Sequence, residues 1–578
     1  LAVFSAAVSG SNTNGLYFWW DFDNNGARDL QGPDVRVATN LYPVGLYSVA
    51  LIVSNEIGQI AGFTNANGIQ VGPAAMCVST NGGHVYPFTN WATAATNLQA
   101  AIDAGVNGSL IQVSNGVYLL TNQLAVSKGL TFRSENGYAN TIIKRAASGA
   151  SPPHHRLFYV THSNVVIDGF TLTNGYAPSA QGGGGGLLCL GGAALNCLIA
   201  GNTTAGGAAS SGGGGIKCAG GCVVSNCVIS ANSAVGHAGG GGVYCDAGGL
   251  VRNCTIAGNS GGGNYGGGGG VWCNSGGTVQ DCLIYENTGA GDSGCGAIWF
   301  NGGGVAQSCI LRNNHGAATS GGARCNAGGT LRNCLIRDND ANSGGGVYCN
   351  GGGWIESCTI ARNAGYNSGG GVYNSGGKLL NTIVYLNSSS LGDNYTNIGS
   401  AWSYTNCATT PGVPGAGNLS GDPLFVNPDE NDYHLLLNSP CLQAGTNQAW
   451  MTGATDLDGY ARISPGAGAV DIGVYEMDAV ALRCSFSVDA REQLESNRVS
   501  FAASVSGSNT NGLYFWWDFD NDSVPDYFGA TVWMATNLYP VGLYSVALTV
   551  SNEISQVMTF TNSNYIKIGP AVAYASTN

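Results

Sequence analysis

The chain has 578 residues, of which only 9% are charged and 94 are glycine, and its formal net charge is −13. An acidic chain without a run of Lys or Arg is poorly suited to nucleic acid or an anionic membrane surface, so we expect neither as a partner. No apolar run reaches the ~18 residues that a membrane-spanning helix needs, so we expect no membrane span in this segment. Because 44% of the residues are hydrophobic, the low charge indicates a β-rich extracellular protein rather than a disordered one.

The first predicted element, a β-sandwich module, occurs at both ends of the chain. Residues 4–81 return as residues 501–578 at a constant offset of 497, and Val8–Asn24 recurs letter for letter at Val505–Asn521. A duplication this close, around a different middle, indicates a tandem array. We therefore expect a longer parent chain, of which this sequence contains one period and the first 81 residues of the next.

One strand distinguishes the two copies of the module. The segment Cys484–Asn497 is predicted to contain the opening strand of the second copy, and the first copy has no counterpart of it. Either Leu1 marks a processed end, or a preceding segment supplies this strand in trans, as in strand-addition assembly.

Each module also contains a short acidic loop. Oxygen-bearing side chains stand at positions 1, 3, 5 and 9 of the loop, namely Asp21, Asp23, Asn25 and Asp29 in the first copy and Asp518, Asp520, Asp522 and Asp526 in the second. Alternating oxygen donors suit Ca²⁺, the only cofactor that we expect. The alternative is an Asp-rich turn whose carboxylates cap backbone amides, since the glutamate that completes a twelve-residue calcium loop is absent.

A short helix is predicted after the first module. Within Asn90–Ala104, apolar residues from Trp91 to Ile102 recur at helical spacing, and strands are predicted at Leu110–Val113 and Val117–Leu120. We expect the helix to cover the open end of the structure that follows, where it would protect the first strand edge.

The middle of the chain, from Gly182 to about Ser390, repeats one pattern eight times. Each copy has a glycine run with a short apolar strand, as in Gly239–Cys245 (GGGGVYC), followed by a second strand, as in Asn253–Asn259 (NCTIAGN). Successive copies of the second cysteine are 24 to 30 residues apart, a period that suits one coil of a parallel β-helix. Two or three earlier coils include Val165–Asn174, and together they predict a right-handed parallel β-helix.

Alternation along these strands predicts internal ladders of stacked, equivalent side chains. The predicted cysteine ladder consists of Cys197, Cys227, Cys254, Cys282, Cys309, Cys334 and Cys358. The predicted asparagine ladder consists of Asn202, Asn232, Asn259, Asn287, Asn314, Asn339, Asn363 and Asn387. We expect these asparagines to adopt left-handed backbone at a sharp turn and to hydrogen-bond their neighbours above and below. We expect the glycine runs to supply positive φ and to leave room at the coil corner.

Nineteen cysteines in a secreted chain would ordinarily suggest disulfides. Because most of them fall on ladder positions, we interpret them as buried thiols that act as small hydrophobic side chains. Cys222 departs from the ladders, and Cys407 and Cys441 lie outside them, where they could pair. We expect no metal at the cysteines, because no C-x-x-C pair accompanies them and histidine is scarce.

The two sandwich modules resemble the PKD-type β-sandwich, an immunoglobulin-like module of secreted proteins. The resemblance rests on YFWWDFDN (Tyr17–Asn24 and Tyr514–Asn521) and on NLYPVGLYSVALIVSNE (Asn40–Glu56). The final G-D-G of the family's W-D-F-G-D-G is replaced here by Asp23-Asn24-Asn25, so the turn differs.

Residues 85–480 resemble the pectate-lyase-like β-helix proteins of bacterial surfaces, and their tail resembles an anchor-associated (choice-of-anchor-like) domain found there. The tail resemblance rests on Gly421–Asn447, on DLDGYAR (Asp456–Arg462) and on VDIGVYE (Val470–Glu476). These resemblances imply an all-β fold that is secreted and displayed on a cell surface. The predicted domains are residues 1–75 (sandwich lacking its first strand), 76–105 (linker and capping helix), 106–400 (β-helix), 401–480 (C-terminal cap and anchor-associated segment) and 481–578 (second sandwich and start of the next linker).

The sharpest alternative function is cleavage of polysaccharides, which proteins of this fold perform with a base beside Ca²⁺-binding carboxylates or with several acids on one face. We expect Arg312, Arg337 and Arg362 to align as a basic stripe on consecutive coils, with no acidic cluster facing them. The outward-facing Trp272 and Trp299 could bind sugars by stacking or pack against a neighbouring chain.

We therefore expect a non-catalytic structural protein that is secreted or displayed at the cell surface. Its expected partners are copies of itself, arranged head to tail or laterally in a filament or sheath. The rival functions are a carbohydrate-binding adhesin, whose partners would be surface glycans, and a β-helix polysaccharide lyase or hydrolase.

Overall fold

The computed structural model divides the chain into two compact units, Leu1–Val235 with Gly248–Leu250 and Gly236–Ala247 with Val251–Asn578. It describes residues 1–147, 151–206, 212–236, 239–262, 267–463, 468–477, 482–494, 498–507, 510–553 and 556–569. In these residues the strands are accompanied by one α-helix, Leu98–Ala104, and by the 3₁₀ turns Ser179–Gln181, Pro428–Glu430 and Ala449–Met451. The predicted start of the next linker, residues 570–578, lies outside the described residues.

The first sandwich module, in the first unit, consists of two antiparallel sheets. One sheet pairs Ala2–Ser5 with Val37–Asn40. The other has the strand order Leu30–Gly32, Tyr17–Asp21, Gly45–Ser54, Ile60–Val71. Because residues alternate between the faces of a strand, Phe18 and Trp20 are buried in the core while Tyr17 and Trp19 are half-buried on the opposite face.

The second sandwich module, in the second unit, repeats this arrangement with two additional strands. One sheet has the order Arg483–Val488, Arg498–Ser506, Met534–Leu538, and the other has the order Glu492–Leu494, Val557–Gly569, Gly542–Ser551, Tyr514–Asp518, Tyr527–Gly529. The register shift between Tyr47 and Val49 recurs between Tyr544 and Val546. The two modules therefore share strand register as well as sequence.

Short parallel strands of the first unit form four sheets, A to D, of a β-solenoid. Sheet A contains Leu124–Val126, Phe158–Val160, Leu187–Cys189 and Ile216–Cys218; sheet B contains Ala75–Val78, Leu110–Val113, Thr131–Ser134, Val166–Asp168, Ala193–Leu195 and Val223–Ser225. Sheet C contains Gly116–Leu120, Thr141–Arg145, Thr171–Thr173, Leu198–Ala200 and Val228–Ser230; sheet D contains Tyr176–Ala177, Thr203–Gly206 and Ser233–Gly236.

The second unit contains strands of the same four kinds. Sheet A has Val243–Asp246, Val271–Asn274, Ile298–Asn301, Ala323–Asn326, Val347–Asn350, Val372–Ser375 and Tyr395–Asn397; sheet B has Leu250–Arg252, Thr278–Gln280, Val305–Gln307, Thr330–Arg332, Trp354–Glu356, Lys378–Leu380 and Ser403–Thr405. Sheet C has Thr255–Ala257, Leu283–Tyr285, Ile310–Arg312, Leu335–Arg337, Thr359–Ala361, Ile383–Tyr385 and Ala408–Thr409; sheet D has Ser260–Gly261, Thr288–Gly289, His315–Gly316, Asp340–Ser343, Ala364–Ser368 and Ser388–Ser389. The units contain about 10 solenoid turns in all, so the predicted parallel solenoid is confirmed.

The predicted helix is shorter than expected. It occupies Leu98–Ala104, where Asn97 caps the backbone N of Ala100, and its buried residues include Leu98 and Ile102. Upstream, the chain is held out of a helix because the backbone N of Ser79 donates to the O of Ala95. Trp91, predicted on the buried face, is 39% exposed.

Two predicted boundaries are also wrong. The first strand of sheet B is Ala75–Val78, which pairs in parallel with Leu110–Val113, so the solenoid begins well before residue 106. The solenoid also continues past the predicted end at residue 400, to the strand Ala408–Thr409 of sheet C. The tail 401–480 was expected to cap the solenoid, and its first part does so, since the backbone N of Leu419 donates to the O of Cys407 beside this last strand. The later part of the tail packs along the outer side of sheet C. There Phe425 and Ile472 share one hydrophobic core with Leu335. The next residue of that strand points into the coil, so Leu335 points outward, towards the tail.

Candidate functional site

The asparagine ladder is the most regular polar feature of the second unit. Asn287 donates from its backbone N and from Nδ2 to Oδ1 of Asn314, at 3.0 and 2.9 Å, and Asn314 makes the same two bonds to Asn339. The pattern holds for each predicted member from Asn259 to Asn387. Each coil is therefore tied to the next by a backbone and a side-chain bond.

Each ladder side chain also satisfies carbonyl groups inside the coil. Asn314 is fully buried, and its Nδ2 lies 3.0 Å from the O of Ile284 and 2.9 Å from the O of Arg312. The last rung is Asn394, whose Oδ1 accepts from both nitrogens of Asn387. Sequence reasoning missed Asn394 because it stands seven residues after Asn387 rather than one coil later.

The backbone conformation predicted for the ladder was wrong. None of the eight asparagines has a positive φ, although in the first unit Asn202 makes both expected bonds to Asn232. The left-handed residue is the one before each asparagine, with φ between 50° and 65°: Gly201, Ala231, Gly258, Glu286, Asn313, Asp338, Arg362 and Leu386. The backbone therefore turns one residue before each ladder asparagine, and the asparagine side-chain amide points into the coil.

The predicted cysteine ladder is buried, with at most 3% of any member exposed, and all nineteen cysteines are free thiols. Burial raises the pKa of the Cys309 and Cys358 thiols well above the ordinary value. Thiols of this kind stay protonated at neutral pH and are poor nucleophiles and metal ligands. They therefore fill the interior as small side chains.

Two cysteines expected to be available for pairing behave in the same way. Cys407 and Cys441 are buried free thiols, and burial raises the pKa of each to about 12. Ala408 pairs in register with Ile383, which places Cys407 opposite Thr382 on the cysteine ladder. Its position was missed because Thr382 interrupts the run of cysteines.

The glycine runs form a third ladder, made of backbone alone. The N of Gly321 donates to the O of Gly345 at 3.0 Å, and the N of Gly345 donates to the O of Gly369 at 3.1 Å. Gly344, at the start of the run, has φ 65°, but Gly345 is not left-handed; a Cβ there would lie 2.7 Å from the O of Gly370. At most positions of the run, glycine is needed because the backbones of neighbouring coils approach closely, and not because φ is positive.

The stacked ladders and the parallel pairing of successive coils are features that this chain can share with known solenoids. Residues 216–389 match the family model of the right handed beta helix region. The match covers less than a third of the chain, and no curated protein matches the chain. The predicted handedness of the β-helix is thus supported, while the PKD-type and anchor-associated resemblances stay predictions. Among the described residues, no helix is long and apolar enough to cross a membrane.

The outward tryptophans of the β-helix are not available to sugars as expected. Trp272 and Trp299 are only 7% and 6% exposed, and their rings stack 4.8 Å apart and 5° from parallel. In-register pairing of sheet A places Tyr244 beyond Trp272, at 5.8 Å, and the guanidinium of Arg324 over Trp299, at 4.4 Å. Each indole is therefore covered on both faces, and the prediction of exposed stacking platforms was wrong.

A second asparagine ladder runs along one end of sheet A. Asn350 donates from Nδ2 to Oδ1 of Asn326 at 2.7 Å, and the chain of bonds continues through Asn301 and Asn274 to Asp246. The signal that could have revealed it is an asparagine at the end of the first strand of four successive coils. This ladder is more exposed than the first.

The predicted arginine stripe is interrupted and paired. Arg312 aligns with Arg337, but Arg337 aligns with Ala361 rather than with Arg362. Contrary to expectation, acids face two of these cations, Arg337 and Arg362. Asp338 lies 2.5 Å from Nη1 of Arg337, so this arginine is held in an ion pair. Arg362 likewise lies 3.6 Å from Asp338.

The acidic loop of the first module brings three of its four predicted donors together. One oxygen of each of Asp21, Asp23 and Asp29 lies within 4.8 Å of the others. The fourth, Asn25, instead uses Oδ1 to accept from the backbone N of Ala27 at 2.7 Å. The loop thus offers a compact group of carboxylates.

The loop of the second module brings together Asp518, Asp520 and Asp522. Desolvation and repulsion from the neighbouring Asp522 and Asp526 carboxylates raise the pKa of Asp520. The fourth predicted donor, Asp526, accepts a hydrogen bond from the backbone N of Phe519 at 2.7 Å. A bound cation would relieve this repulsion.

Backbone capping, the alternative role of these loops, is also present. Asp21 Oδ2 accepts from the N of Gly26 at 2.8 Å, and Asp518 Oδ2 accepts from the N of Ser523 at 2.8 Å. Carboxylates can hold amides with one set of lone pairs and a hard cation with another. Amide capping is thus observed, whereas calcium binding remains a prediction.

We expect millimolar Ca²⁺ to raise the melting temperature of the modules, because it would neutralise three clustered carboxylates in each loop. Replacing Asp23 and Asp520 by asparagine should abolish the shift in differential scanning calorimetry. The matched control is Asp34→Asn, which removes an exposed acid outside the loop. Equal melting temperatures of the wild-type chain with and without Ca²⁺ would leave amide capping as the role of the loops.

A buried polar cluster fixes the tail to the β-helix in the second unit. Arg462 is fully buried. Its Nη2 lies 2.9 Å from Oε1 of Glu476, and its Nη1 lies 3.4 Å from Oδ1 of Asn333, in the turn between a strand of sheet B and a strand of sheet C. Burial raises the pKa of Glu476 to about 8, and it also raises the pKa of Asp456 and Asp471. Glu476 thus pairs directly with the Arg462 guanidinium, and the two aspartates act on it from farther away.

Proposed function

We propose that this chain is a non-catalytic structural protein of the cell exterior, a repeating unit of a giant surface protein, fibre or sheath. The observation that carries the proposal is the recurrence of the sandwich module at an offset of 497 residues, with the same strand register and the same register shift. Repetition of a whole module around a solenoid is typical of an extended assembly. A self-contained catalyst has no need of it.

The β-helix supports a mechanical role. Within the second unit, each coil from Asn259 to Asn387 is joined to the next by ladder bonds of 2.9 to 3.0 Å in addition to its parallel backbone pairing. Fully satisfied buried networks of this kind rigidify a structure. We propose that the solenoid acts as a stiff rod and that the modules act as joints between rods.

The three arginines of the predicted stripe are engaged in other contacts. Arg337 and Arg362 are paired with Asp338, and Arg312 lies over the ring of Tyr285 at 4.4 Å. A lyase needs an arginine or lysine free to take a proton from the sugar. These contacts favour the structural role over the lyase.

The test is electron cryo-microscopy of the native material. We expect a unit of 497 residues to recur along a fibre, with density continuing from one solenoid through a sandwich module into the next. Isolated particles without such recurrence would contradict the proposal. Release of unsaturated or reducing sugars from polysaccharides would then indicate an enzyme, and saturable glycan binding without release would indicate an adhesin.

A further inference from the structure

One histidine of the tail lies where three segments of the tail meet. His434 belongs to the strand Asp432–Leu435, whose alternate residues are buried in the core against sheet C. Because residues alternate between the faces of a strand, His434 lies on the opposite face. There it meets a loop, residues 456–462, and the ring of Tyr475, which stacks on the imidazole with 3.9 Å between the ring centroids.

Both ring nitrogens of His434 face carboxylate oxygens at hydrogen-bond distance. Nδ1 lies 2.5 Å from Oδ1 of Asp432, and Nε2 lies 2.6 Å from Oδ2 of Asp458 in the loop. An ionised carboxylate can only accept hydrogen bonds, and a neutral imidazole donates from one nitrogen only. Both carboxylates are therefore bonded at once only when the ring carries two protons and a positive charge.

Loss of one proton would break the contact with the loop. Asp432 is on the same strand as His434, and its Oδ1 also accepts from the backbone N of His434 at 3.0 Å, so it retains the proton on Nδ1. Nε2 would then present a lone pair to the carboxylate of Asp458. Two acceptors that face each other repel, so the neutral ring no longer holds the loop.

The loop that carries Asp458 is folded on itself and reaches the second sandwich module. Oδ1 of Asp456 accepts from the backbone N of Asp458 at 2.9 Å and of Tyr460 at 2.8 Å, and its Oδ2 accepts from the N of Glu476. The ring of Tyr460 lies 4.6 Å from the guanidinium of Arg483, the first residue of the module's opening strand. The same loop therefore contacts both the histidine and the module.

Three more ionisable groups line a cavity of about 30 Å³ beside His434, namely Asp471, Glu476 and Arg483. The oxygens of Asp471 accept from two backbone amides at 2.7 and 2.8 Å, and Glu476 lies 2.9 Å from the guanidinium of Arg462. Arg483 is a cation, which disfavours a positive charge on the ring. These acids are thus engaged elsewhere, and the protonated ring depends on its two aspartate partners.

The balance of burial and charge favours the protonated ring. Desolvation lowers the pKa of His434, but its two aspartate partners raise it further, so the pKa lies above its ordinary value of 6.5. Burial raises the pKa of Tyr475, which is therefore uncharged, and Arg337 of sheet C, which acts on Tyr475, is paired with Asp338. A group whose pKa is raised by folding contributes stability below its unfolded pKa and loses it as the pH rises through the folded pKa.

We propose that protonation of His434 binds the loop 456–462 to the strand Asp432–Leu435, and that loss of this proton releases the loop. The loop is then held at mildly acidic pH and freed at alkaline pH. The inference goes beyond the proposed function, because it places a pH-sensitive contact in the segment that touches the second sandwich module. None of its contacts depends on that function.

The test is hydrogen exchange of the full chain, followed by mass spectrometry and corrected for the intrinsic effect of pH on exchange. We expect the amides of Asp458 and Tyr460 to open ~3- to 10-fold more often at about pH 8.5 than at about pH 6, the loss expected for a partly exposed charged pair. Glu476, whose pKa burial raises to about 8, titrates in the same range. The quantity that counts is therefore the difference between the unchanged chain and a variant at His434.

Two variants separate protonation from packing. His434→Gln cannot take a positive charge, so its loop should lack the part of the pH response that His434 supplies. Asp458→Asn should keep the loop held at both pH values, because the amide group can donate to a neutral Nε2 and accept from a protonated one. Release of the loop in Asp458→Asn at alkaline pH, to the same extent as in the unchanged chain, would contradict the inference.

The pKa of His434 provides the second readout. It is measured by NMR of the full chain labelled in its histidine rings, with the signal assigned by its absence in His434→Gln. We expect a pKa above 6.5 in the unchanged chain and a lower one in Asp458→Asn, which lacks one negative partner. A pKa at or below 6.5, or an equal pH response of the unchanged chain and His434→Gln, would overturn the inference. Neither readout depends on recurrence of the unit in the native material, so either idea can fail alone.

Discussion

Replacing Asn314 by alanine is expected to lower the free energy of unfolding of the surrounding coils by roughly 3–5 kcal/mol. The side chain accepts from both nitrogens of Asn287 and donates to Asn339 and to two carbonyl groups. Alanine would leave these buried partners without their hydrogen bonds. Each unsatisfied buried group costs about 1–3 kcal/mol.

The matched control is Asn326→Ala in the second asparagine ladder. Asn326 also bonds to asparagines of adjacent coils, at 3.2 and 2.7 Å, but its side chain is only partly buried. Water can replace its partners, so we expect a loss of at most ~1 kcal/mol. Native-state hydrogen exchange of the two variants measures both values. Equal losses would show that burial of the ladder adds nothing to its strength.

The positions of the ladders could be predicted from sequence because a solenoid converts a linear period into a column of side chains. Asn287 and Asn314 stand at the same place in successive motifs, and parallel pairing stacks them directly. The residue that bends the chain could not be predicted in this way. Positions such as Glu286 and Leu386 are left-handed although neither residue type favours that conformation, because the inward bonds of the next asparagine decide it.

The burial of side chains on the outside of the coils could not be predicted from the sequence, for a different reason. Trp272 alternates away from the interior, and alternation alone predicts an exposed ring. The ring is covered because Trp299 and Tyr244 stand at the same strand position in neighbouring coils. The tail is a similar case, since no local pattern in residues 401–480 shows that it lies along sheet C, where Asn333 and Arg462 meet.

Replacing Gly345 by alanine is expected to cost about 4 kcal/mol or more, and enough to prevent ordered stacking of that coil. An added Cβ would clash with the carbonyl group of Ala364 and lie 2.7 Å from the O of Gly370. Both atoms belong to backbone, which cannot move aside without breaking the bonds from Gly345 to Gly369 and from Gly321 to Gly345. The loss is therefore steric, and no rotamer change relieves it.

Gly302 provides the comparison that separates sterics from backbone conformation. It has φ 80° and nothing within 4 Å of an added Cβ, so Gly302→Ala should cost only the ~1–2 kcal/mol of a left-handed alanine. Chemical denaturation followed by hydrogen exchange of sheet D amides compares the two variants. Similar costs would mean that the glycine runs serve backbone conformation, whereas a much larger cost at Gly345 would establish that the coils pack backbone against backbone. That close packing is what a stiff rod requires, because it leaves neighbouring coils no room to slide.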